Sequence, residues 1–498
     1  MKIENIADIL TYQAKKYPNK IAIYSSTMEV TFKQLENYVV KTANYFKHTK
    51  LKSKDIVIHD FQDELLLLIS MLALAKIGVT LISISKNIPK LQLNEILNNL
   101  KPKVLITEYN TILQMDKIEF SYEILFSLSD ESYNFSRFNS NIPWQIVIGS
   151  GTTGKSKLFE VNHKLEFERI KISQKSFNIC ENDTLCSLLE LSYNSTKIRF
   201  LAGLYVGASY VIFNKKAENM IDFLLKYNVS IFYTTVFHIE SILNILPKDV
   251  SNIFPFLRVL SIGASIISES LKNRISLKLT HNLFISYGTN DIGGITCTTI
   301  DKIFSTYQTV GYAIENVKIE IVDENDKEKP IGEIGHIRVK SPGMIDGYLN
   351  DDEATNKAFR NGWFYPGDLG KFTDDNQLIY CGRSDHMMIM NGINIYPAQI
   401  ENVITSFEVV IDAVALPIKH PIHQDIPICA VVLKKDSQIS KKDLMDYCIE
   451  RLAFSSPKEI LFLDFIPRNE QGKIIRSELN EMISKKFEIN KRHMNYEN

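Results

Sequence analysis

The loop at residues 149–157 combines three kinds of group that bind phosphate. After the apolar run 146–148 it holds three glycines, two serines, two threonines and two lysines. Glycine lets backbone N–H groups approach an anion, hydroxyls add donors, and lysines add positive charge. The composition therefore predicts a phosphate-binding loop. Its expected phosphate contacts are Ser150, Gly151, Thr152, Thr153, Gly154, Lys155 and Lys157.

Two kinds of phosphate loop fit this stretch. Residues 149–156 match G-x-x-x-x-G-K-[ST] of P-loop NTPases, in which a helix starts at the lysine. Residues 157–161 alternate polar and apolar side chains, which favours a strand instead. A strand–loop–strand unit resembles the AMP-forming adenylate-forming ligases, whose loop reads [ST]-[SG]-G-T-[ST]-G-x-P-K-G. Gly149, Ser156 and Leu158 depart from that pattern, and the loop alone leaves both families open.

A second motif, Y-G-T-N-D at 287–291, ends an apolar run. An aromatic ring can stack on a purine, glycine admits the backbone, and a carboxylate can hold Mg²⁺. The motif resembles Y-G-x-T-E of the same ligases, with Asn290 for Thr and Asp291 for Glu. The resemblance implies ATP contacts from this motif and from the segment after strand 259–262. They are Tyr287, Gly288, Thr289, Asn290, Gly263, Ala264 and Ser265, with Asp291 at the metal.

Two longer motifs carry most of the resemblance. Residues 362–370 match G-W-[FLY]-x-[ST]-G-D-x-G with Pro366 as the departure, which implies that Asp368 binds both ribose hydroxyls. Residues 382–401 resemble G-R-x-[DK]-[DE]-x-I-x-x-x-G-x-x-[IV]-x-P-x-E-[IV]-E, with departures at positions 386, 388 and 399. This implies that Arg383 contacts ribose and phosphate, Asp385 is a hinge, and Gly392 borders a thiol channel.

The last motif contains the expected catalytic lysine. Residues 467–479 resemble P-[RK]-[TN]-x-x-G-K-[IV]-x-R-x-x-L, with Lys473 at the lysine position. It lies between a predicted strand at 460–465 and a predicted helix at 477–483, where a lysine can enter the active site as a point charge. All the motifs occur in the ligases' order over nearly the whole chain, which favours that family over the P-loop NTPases.

Strands that alternate with helices along the first part of the chain predict a parallel, doubly wound sheet. From Gly311 onward the pattern becomes β-rich, and 498 residues exceed what one core usually organises. The predicted fold class is α/β. We expect an N-terminal domain, 1–382, with doubly wound sheets and a β-rich subdomain that binds ATP and the acid. We expect a small, mobile α+β domain, 383–498, to carry Lys473.

The amino-acid composition argues against two classes of binding partner, nucleic acids and membranes. Lys and Arg total 57 and Asp and Glu 58, so no net field favours nucleic acid or an anionic membrane. The six cysteines have no metal-ligand spacing and indicate reduced thiols in a cytoplasmic protein. The N-terminus has an acid where a signal peptide would be apolar, and the run 65–75 is too short to span a bilayer. We expect no nucleic-acid partner and no membrane insertion.

The acid pocket has the weakest signal. Residues 193–196 fall where amino-acid-activating relatives carry F-D-x-S, whose Asp pairs with the substrate ammonium. Asn194 has no charge to offer, which disfavours an α-amino acid, and the charged residues Lys197 and Arg199 follow on the next turn. Asn194 can bind a ring hydroxyl, as in aryl-acid-activating relatives. It can equally cap a helix at 196–206, and both interpretations stay open.

The resemblance implies activation of an aryl or short-to-medium acyl carboxylic acid by ATP and Mg²⁺, giving acyl-AMP and pyrophosphate. The acyl group then passes to the thiol of CoA or of a carrier protein's phosphopantetheine. One alternative is a stand-alone adenylation enzyme that loads an amino acid for a peptide or polyketide synthetase. Others of a different class are a P-loop NTPase switch and a catalytically silent scaffold, since Asn290, Asp291 and His386 depart from the motifs.

Overall fold

The computed structural model describes residues 4–84, 88, 90–109, 115–129, 135, 140–149, 157–213, 219–247, 249–263, 267, 269–298, 302, 306, 309–420, 422–435, 437–469 and 472–494. Its α-helices are α1 (Asp8–Lys16), α2 (Phe32–His48), α3 (Glu64–Ile77), α4 (Lys90–Leu100), α5 (Tyr122–Ser127), α6 (His163–Ser176), α7 (Asn194–Val206), α8 (Met220–Lys226), α9 (Val236–Ile245), α10 (Glu269–Lys278), α11 (Asp352–Ala358), α12 (Pro397–Thr405), α13 (Lys441–Leu452) and α14 (Arg476–Met494).

The strands of the first part are β1 (Ile21–Tyr24), β2 (Glu29–Thr31), β3 (Ile56–Asp60), β4 (Thr80–Ser83), β5 (Val104–Thr107), β6 (Lys117–Glu119), β7 (Pro143–Gly149), β8 (Lys157–Asn162), β9 (Thr184–Ser187), β10 (Ser209–Val211), β11 (Ile231–Thr235), β12 (Val259–Gly263), β13 (Leu283–Thr289) and β14 (Gly293–Cys297). The remaining strands are β15 (Thr309–Ala313), β16 (Lys318–Val322), β17 (Gly335–Lys340), β18 (Phe359–Arg360), β19 (Trp363–Phe364), β20 (Asp368–Phe372), β21 (Leu378–Arg383), β22 (Met388–Met390), β23 (Ile393–Ile395), β24 (Val410–His420), β25 (Gln424–Leu433) and β26 (Glu459–Phe462).

The strands of the described residues form three sheets. One has the order β6-β5-β3-β4-β7-β8, with parallel pairing except at β7–β8. The largest runs β18-β19-β17-β20-β21-β15-β14-β13-β12-β11-β9-β10-β1-β2, with β16 paired to β17. Its stretch from β13 to β1 is parallel, and its stretch from β13 to β18 is antiparallel. The predicted doubly wound sheets and β-rich subdomain are therefore confirmed.

Helix α3 occupies the centre of the large part of the molecule. Asp63 caps its start by accepting hydrogen bonds from the Leu65 and Leu66 amides, and Gly78 ends it in the left-handed conformation. Every residue from Leu65 to Ala75 is buried. The helix shares one hydrophobic core with residues of both large sheets, so the two sheets are packed around it.

The chain changes sheet between residues 383 and 388. Strand β21 still belongs to the largest sheet, whereas β22 begins a separate sheet of order β23-β22-β25-β24, with β26 beside β25. This small sheet has hydrophobic clusters of its own with α12, α13 and α14. The change of sheet falls at the predicted boundary between 382 and 383; that the two parts form separate, mobile domains stays a prediction.

Some elements differ from the sequence-based expectations. The interval 108–143, which shows no clear period, contains β6 and α5, both too short to produce one. The last helix is longer than the predicted 477–483. The prediction ended too early because the charged C-terminal half of the helix has no apolar stripe in its sequence. All six cysteines are free thiols. Among the residues described, no helix has the length and apolar character needed to span a membrane.

Candidate active site

The phosphate loop joins two antiparallel strands. Gly149, at the end of β7, lies opposite Lys157, at the start of β8, and the next helix begins only at His163. A P-loop NTPase requires a helix at the loop lysine, so the NTPase alternative is wrong and the strand–loop–strand expectation is confirmed. The expected phosphate contacts from 150 to 155 lie outside the described residues and stay predictions. They are Ser150, Gly151, Thr152, Thr153, Gly154 and Lys155.

Lys157, the last residue of this loop, connects it to the second motif. Its Nζ lies 4.7 Å from the ring centroid of Tyr348. The Tyr348 hydroxyl donates a hydrogen bond of 2.6 Å to Oδ1 of Asp291, the residue expected at the metal. Burial and this carboxylate raise the pKa of Tyr348, so the hydroxyl stays a donor. The motif analysis missed Tyr348, which belongs to none of the recognised patterns.

We expect Tyr348→Phe to raise the KM for ATP roughly tenfold while the fold is kept. The ring under Lys157 remains, but Asp291 loses a donor, and a hydrogen bond to a charged group contributes about 1.5–3 kcal/mol. The measurement is ATP-dependent pyrophosphate exchange. The control is Tyr312→Phe, which removes a hydroxyl from Asp375 at an exposed position. An equal change of the KM for ATP in both variants would show that the hydrogen bond from Tyr348 to Asp291 does not contribute to ATP binding.

The second motif places an aromatic side chain beside the expected ribose ligand. The Tyr287 hydroxyl donates to Oδ2 of Asp368, and the Tyr380 hydroxyl donates to Oδ1 at 3.4 Å. The two rings are 5.6 Å apart. Position 288 requires glycine, because a Cβ there would lie 2.4 Å from the Gly293 carbonyl oxygen. Thr289 and Asn290 are half-buried in the same turn.

Asp368 is a buried carboxylate held by donors. Only 5% of it is exposed, and burial raises its pKa although its hydrogen bonds and Arg383 oppose the shift. Arg383 Nη1 lies 3.5 Å from its Oδ1. Arg383 also pairs with Asp385 through Nε at 3.1 Å. Asp368, Arg383 and Asp385 are therefore neighbours. They are the residues predicted to bind the ribose, to contact ribose and phosphate, and to act as the hinge.

Lys473 reaches this group from the small sheet's side of the chain. Burial lowers the pKa of Lys473, the Asp291 carboxylate opposes that shift, and Arg383 adds to it. Its side chain is nevertheless exposed to solvent. The charges of Asp291 and Arg383 thus act on a lysine that water still reaches. We call the region between Lys473, Asp291 and Arg383 the cleft.

The small sheet is tied to this cleft by a second cation. Arg476, at the start of α14, lies with Nη2 3.0 Å from Nδ1 of His386. Burial and Arg476 lower the pKa of His386 to about 4, so the imidazole is neutral and accepts the hydrogen bond. His386 departs from the family's acid at this position, and its neutral ring suits the arginine beside it.

The surroundings of Asp291 bear on its predicted role as a magnesium ligand. Its backbone carbonyl accepts a hydrogen bond of 3.0 Å from Arg169, and one carboxylate oxygen accepts from Tyr348. No group of three or more acidic, histidine or cysteine side chains suited to a metal occurs among the described residues. Mg²⁺ commonly binds through one or two carboxylates together with substrate phosphates, so a single carboxylate fits this ion when ATP is present.

Asn194 belongs to a buried polar cluster. It is the first residue of α7, makes no capping hydrogen bond there, and accepts one of 2.9 Å from Gln145. Gln145 also donates to Glu166 at 3.4 Å. Lys197 is buried beside them, and burial lowers its pKa to about 8. The helix-cap interpretation of Asn194 is therefore wrong; its contact with the acid stays a prediction.

Two further predicted residues lie at the end of a strand and at the tip of a hairpin. Gly263 ends β12, and a Cβ added there would lie 3.8 Å from Nη2 of Arg199; Ala264 and Ser265 lie outside the described residues. Gly392 forms the tip of the β22–β23 hairpin with Asn391, both with positive φ. The Asn-Gly hairpin is confirmed. A Cβ on Gly392 would meet no atom within 4 Å, so the tip has open space around it.

Comparison with known proteins identifies the family. Residues 10–349 match the family described as AMP-binding enzyme, and residues 399–473 match its C-terminal domain. The 2-succinylbenzoate–CoA ligase of Bacillus mycoides is 23% identical over 484 residues, covering 97% of this chain and 99% of its own. Gramicidin S synthase 1 of Brevibacillus brevis is 25% identical over 500 residues, covering 96% of this chain and 44% of its own.

Solved structures agree on the fold. ATP-bound MatB from Rhodopseudomonas palustris superposes with a TM-score of 0.87 at 21% identity, covering 96% of this chain and 99% of its own. An anthranilate CoA ligase, AuaEII, in complex with anthranoyl-AMP gives 0.87 at 20% identity, with coverage of 96% and 97%. The first family match spans more than half of the chain, and the motifs, the hairpin loop and the fold agree with it: the protein belongs to the AMP-binding enzyme family.

Proposed function

We propose that this enzyme activates a carboxylic acid with ATP to form acyl-AMP and pyrophosphate, and then transfers the acyl group to a thiol. The observation that carries the proposal is the common cleft of Lys473, Asp291 and Arg383, since these residues come from three separate motifs. A relative named for acyl transfer to CoA, the 2-succinylbenzoate–CoA ligase, aligns along nearly its whole length. The thiol is that of CoA or of a carrier protein's phosphopantetheine.

In the first half-reaction the acid's carboxylate attacks the α-phosphorus, an acyl–oxygen–phosphorus link forms, and the bond to pyrophosphate breaks. Catalysis of such a step is mainly positioning and charge stabilisation. Lys473 would neutralise the charge that develops on the phosphate oxygens. Lys157 and the loop before it would hold the leaving pyrophosphate. Asp291 would hold Mg²⁺, which supplies positive charge to the phosphates when bound.

The nucleoside is held by the tyrosine and aspartate pair. Tyr287 offers its ring face to adenine, and Asp368 can accept both ribose hydroxyls because each carboxylate oxygen has more than one lone pair. Arg383 beside it contacts the ribose and the α-phosphate. Tyr380, which lies against both Tyr287 and Asp368, would keep the carboxylate oriented.

For the second half-reaction we assign the hinge to Asp385 and the border of the thiol channel to Gly392. Asp385 lies in the short connection between β21 and β22, where the chain changes sheet. A turn there would withdraw Lys473 and bring the exposed hairpin tip of Gly392 to the cleft. The domains in this proposal are 1–382 for ATP and the acid, and 383–498 for the moving part.

A second candidate is loading of an amino acid, as the alignment with a peptide synthetase suggests. The neutral Asn194, held by Gln145, offers no carboxylate to a substrate ammonium. A buried ammonium without a partner costs several kcal/mol. We therefore expect aryl or acyl acids to support exchange and zwitterionic amino acids to fail.

The test is acid-dependent exchange of labelled pyrophosphate into ATP over a panel of acids. The panel includes 2-succinylbenzoate, malonate, anthranilate, straight-chain fatty acids and the standard amino acids. Exchange with an aryl or acyl acid supports the proposal. A standard amino acid as best substrate would support the second candidate, and no exchange with any acid would indicate a catalytically silent scaffold.

A further inference from the structure

Arg199 is a cation near the proposed acid site without an anion beside it. Its guanidinium carbon lies 4.4 Å from the ring centroid of Tyr233, and its Nη2 lies 3.8 Å from where a Cβ on Gly263, at the end of β12, would be. Within the described part of the chain, no carboxylate lies within 4.0 Å of the guanidinium and no hydrogen-bond acceptor is assigned to it. Among the described residues, Arg199 thus contacts the ring face of Tyr233 and forms no ion pair.

Other donors without acceptors lie around this guanidinium. The hydroxyl oxygens of Tyr233, Ser261 and Tyr210 are buried and have no hydrogen-bond partner among the described residues. Tyr233 and Ser261 are register partners on the parallel strands β11 and β12. Their side chains therefore project from the same face of the sheet. A hydroxyl can donate a hydrogen bond, as the guanidinium does, so this face presents donors.

The hydroxyls do not supply the missing negative charge. Burial raises the pKa of both Tyr210 and Tyr233 well above the usual value, so both are neutral. The nearby thiol of Cys297 is also neutral, because burial raises its pKa to about 12. Burial lowers the pKa of Arg199, but an arginine stays protonated in proteins. The positive charge is therefore uncompensated by these neighbours.

The carboxylates that act on the hydroxyls of Tyr210 and Tyr233 are already engaged by other partners. Glu64 acts on the Tyr210 hydroxyl, and its Oε1 accepts a hydrogen bond of 3.2 Å from the Leu191 amide. Asp183 acts on Tyr233 and is ion-paired with Arg258. Neither pairs with Arg199. Leaving a desolvated cation unpaired is costly, which is expected where a ligand supplies the partner.

The position of the guanidinium indicates which ligand this is. Gly263 ends β12, and the neighbouring strand β13 carries Tyr287, to which we assign the adenine. Arg199 thus lies one strand from the nucleotide, on the helix that begins with Asn194. A molecule that reaches Arg199 while its carboxylate faces the α-phosphate needs a second anionic group at its other end.

We propose that the acid this enzyme activates is a dicarboxylate, and that Arg199 binds the carboxylate that does not react, aided by the hydroxyls of Tyr233 and Ser261. This inference rests on the proposed adenylation. A planar guanidinium can bind a carboxylate through two parallel hydrogen bonds, which a lysine cannot do. Arg199 is then a specificity-determining residue.

The test compares pyrophosphate exchange for dicarboxylates from malonate to suberate, phthalate and 2-succinylbenzoate with exchange for the monomethyl ester of each. We expect the best dicarboxylate to exceed its monoester in kcat/KM by roughly tenfold to a hundredfold, as for a lost charge-assisted hydrogen bond. Arg199→Gln should abolish that difference by raising KM for the dicarboxylate, with KM for ATP unchanged. Arg199→Lys should recover only part of it.

The matched control is Arg274→Gln, because Arg274 pairs with Glu240 on α9 and lies outside the cleft. Melting curves of each variant report folding; removal of an uncompensated charge should leave the Tm of Arg199→Gln unchanged or higher. Monoesters that serve as well as dicarboxylates would overturn the inference and leave adenylation intact. A rise in the KM for ATP with every acid would overturn it by assigning Arg199 to the nucleotide. Exchange with no acid would instead refute the proposed function.

Discussion

Lys473→Ala is expected to slow acyl-AMP formation on the order of 10²–10³-fold or more, while thioester formation from presynthesised acyl-AMP stays nearly intact. A charge aimed at the transition state in a cleft contributes about 3–4 kcal/mol. Lys473 faces Asp291 and Arg383 in this structure, which is where the phosphates are assigned. The two half-reactions are measured separately, by pyrophosphate exchange and by the appearance of the thioester.

The matched control for this variant is Lys485→Ala. Lys485 lies on α14, is exposed and pairs with Glu481 one turn away, so its loss should change neither half-reaction. Equal loss of both half-reactions in Lys473→Ala would contradict a role confined to the first. An effect of the same size in Lys485→Ala would point to damage to the small sheet.

Asp368→Ala is expected to weaken ATP and acyl-AMP together, because both contain the ribose. Each hydrogen bond to a charged acceptor contributes about 1.5–3 kcal/mol, so the affinity should fall at least about tenfold. The variant also leaves the hydroxyls of Tyr287 and Tyr380 without their acceptor. Calorimetric titration with ATP, and with an acyl-AMP analogue that cannot react, measures both affinities.

Asp374→Ala provides the comparison for this aspartate. Asp374 is exposed in the turn between β20 and β21, near Asp368 in sequence, and should not affect nucleotide affinity. Unchanged ATP affinity in Asp368→Ala would contradict ribose binding by Asp368 and leave it only the role of accepting hydrogen bonds from the two tyrosines. Melting curves separate that outcome from unfolding.

Local patterns in the sequence predicted the framework of the site. The alternation at 157–161 distinguished a strand–loop–strand unit from a P-loop, and the register of Gly149 with Lys157 confirms it. The Asn391–Gly392 pair predicted its hairpin because both residues favour positive φ. These features depend on neighbours in the chain, so a single sequence contains them.

Contacts between distant parts of the chain could not be predicted in this way. Tyr348 meets Asp291 across 57 positions, and Gln145 meets Asn194 across 49. No periodicity links such pairs, since each contact depends on how separate sheets and helices pack. The helix-cap interpretation of Asn194 failed for this reason: a partner from β7 takes its side chain.

The burial of helix α3 has a consequence for how the chain folds. A helix with apolar residues on every side, from Leu65 to Ala75, has no face that water can cover. It gains stability only when residues from both large sheets, such as Val57 and Leu185, surround it. The two sheets are therefore expected to unfold as a single cooperative unit, and a fragment that ends before β9 would leave this helix open to aggregation.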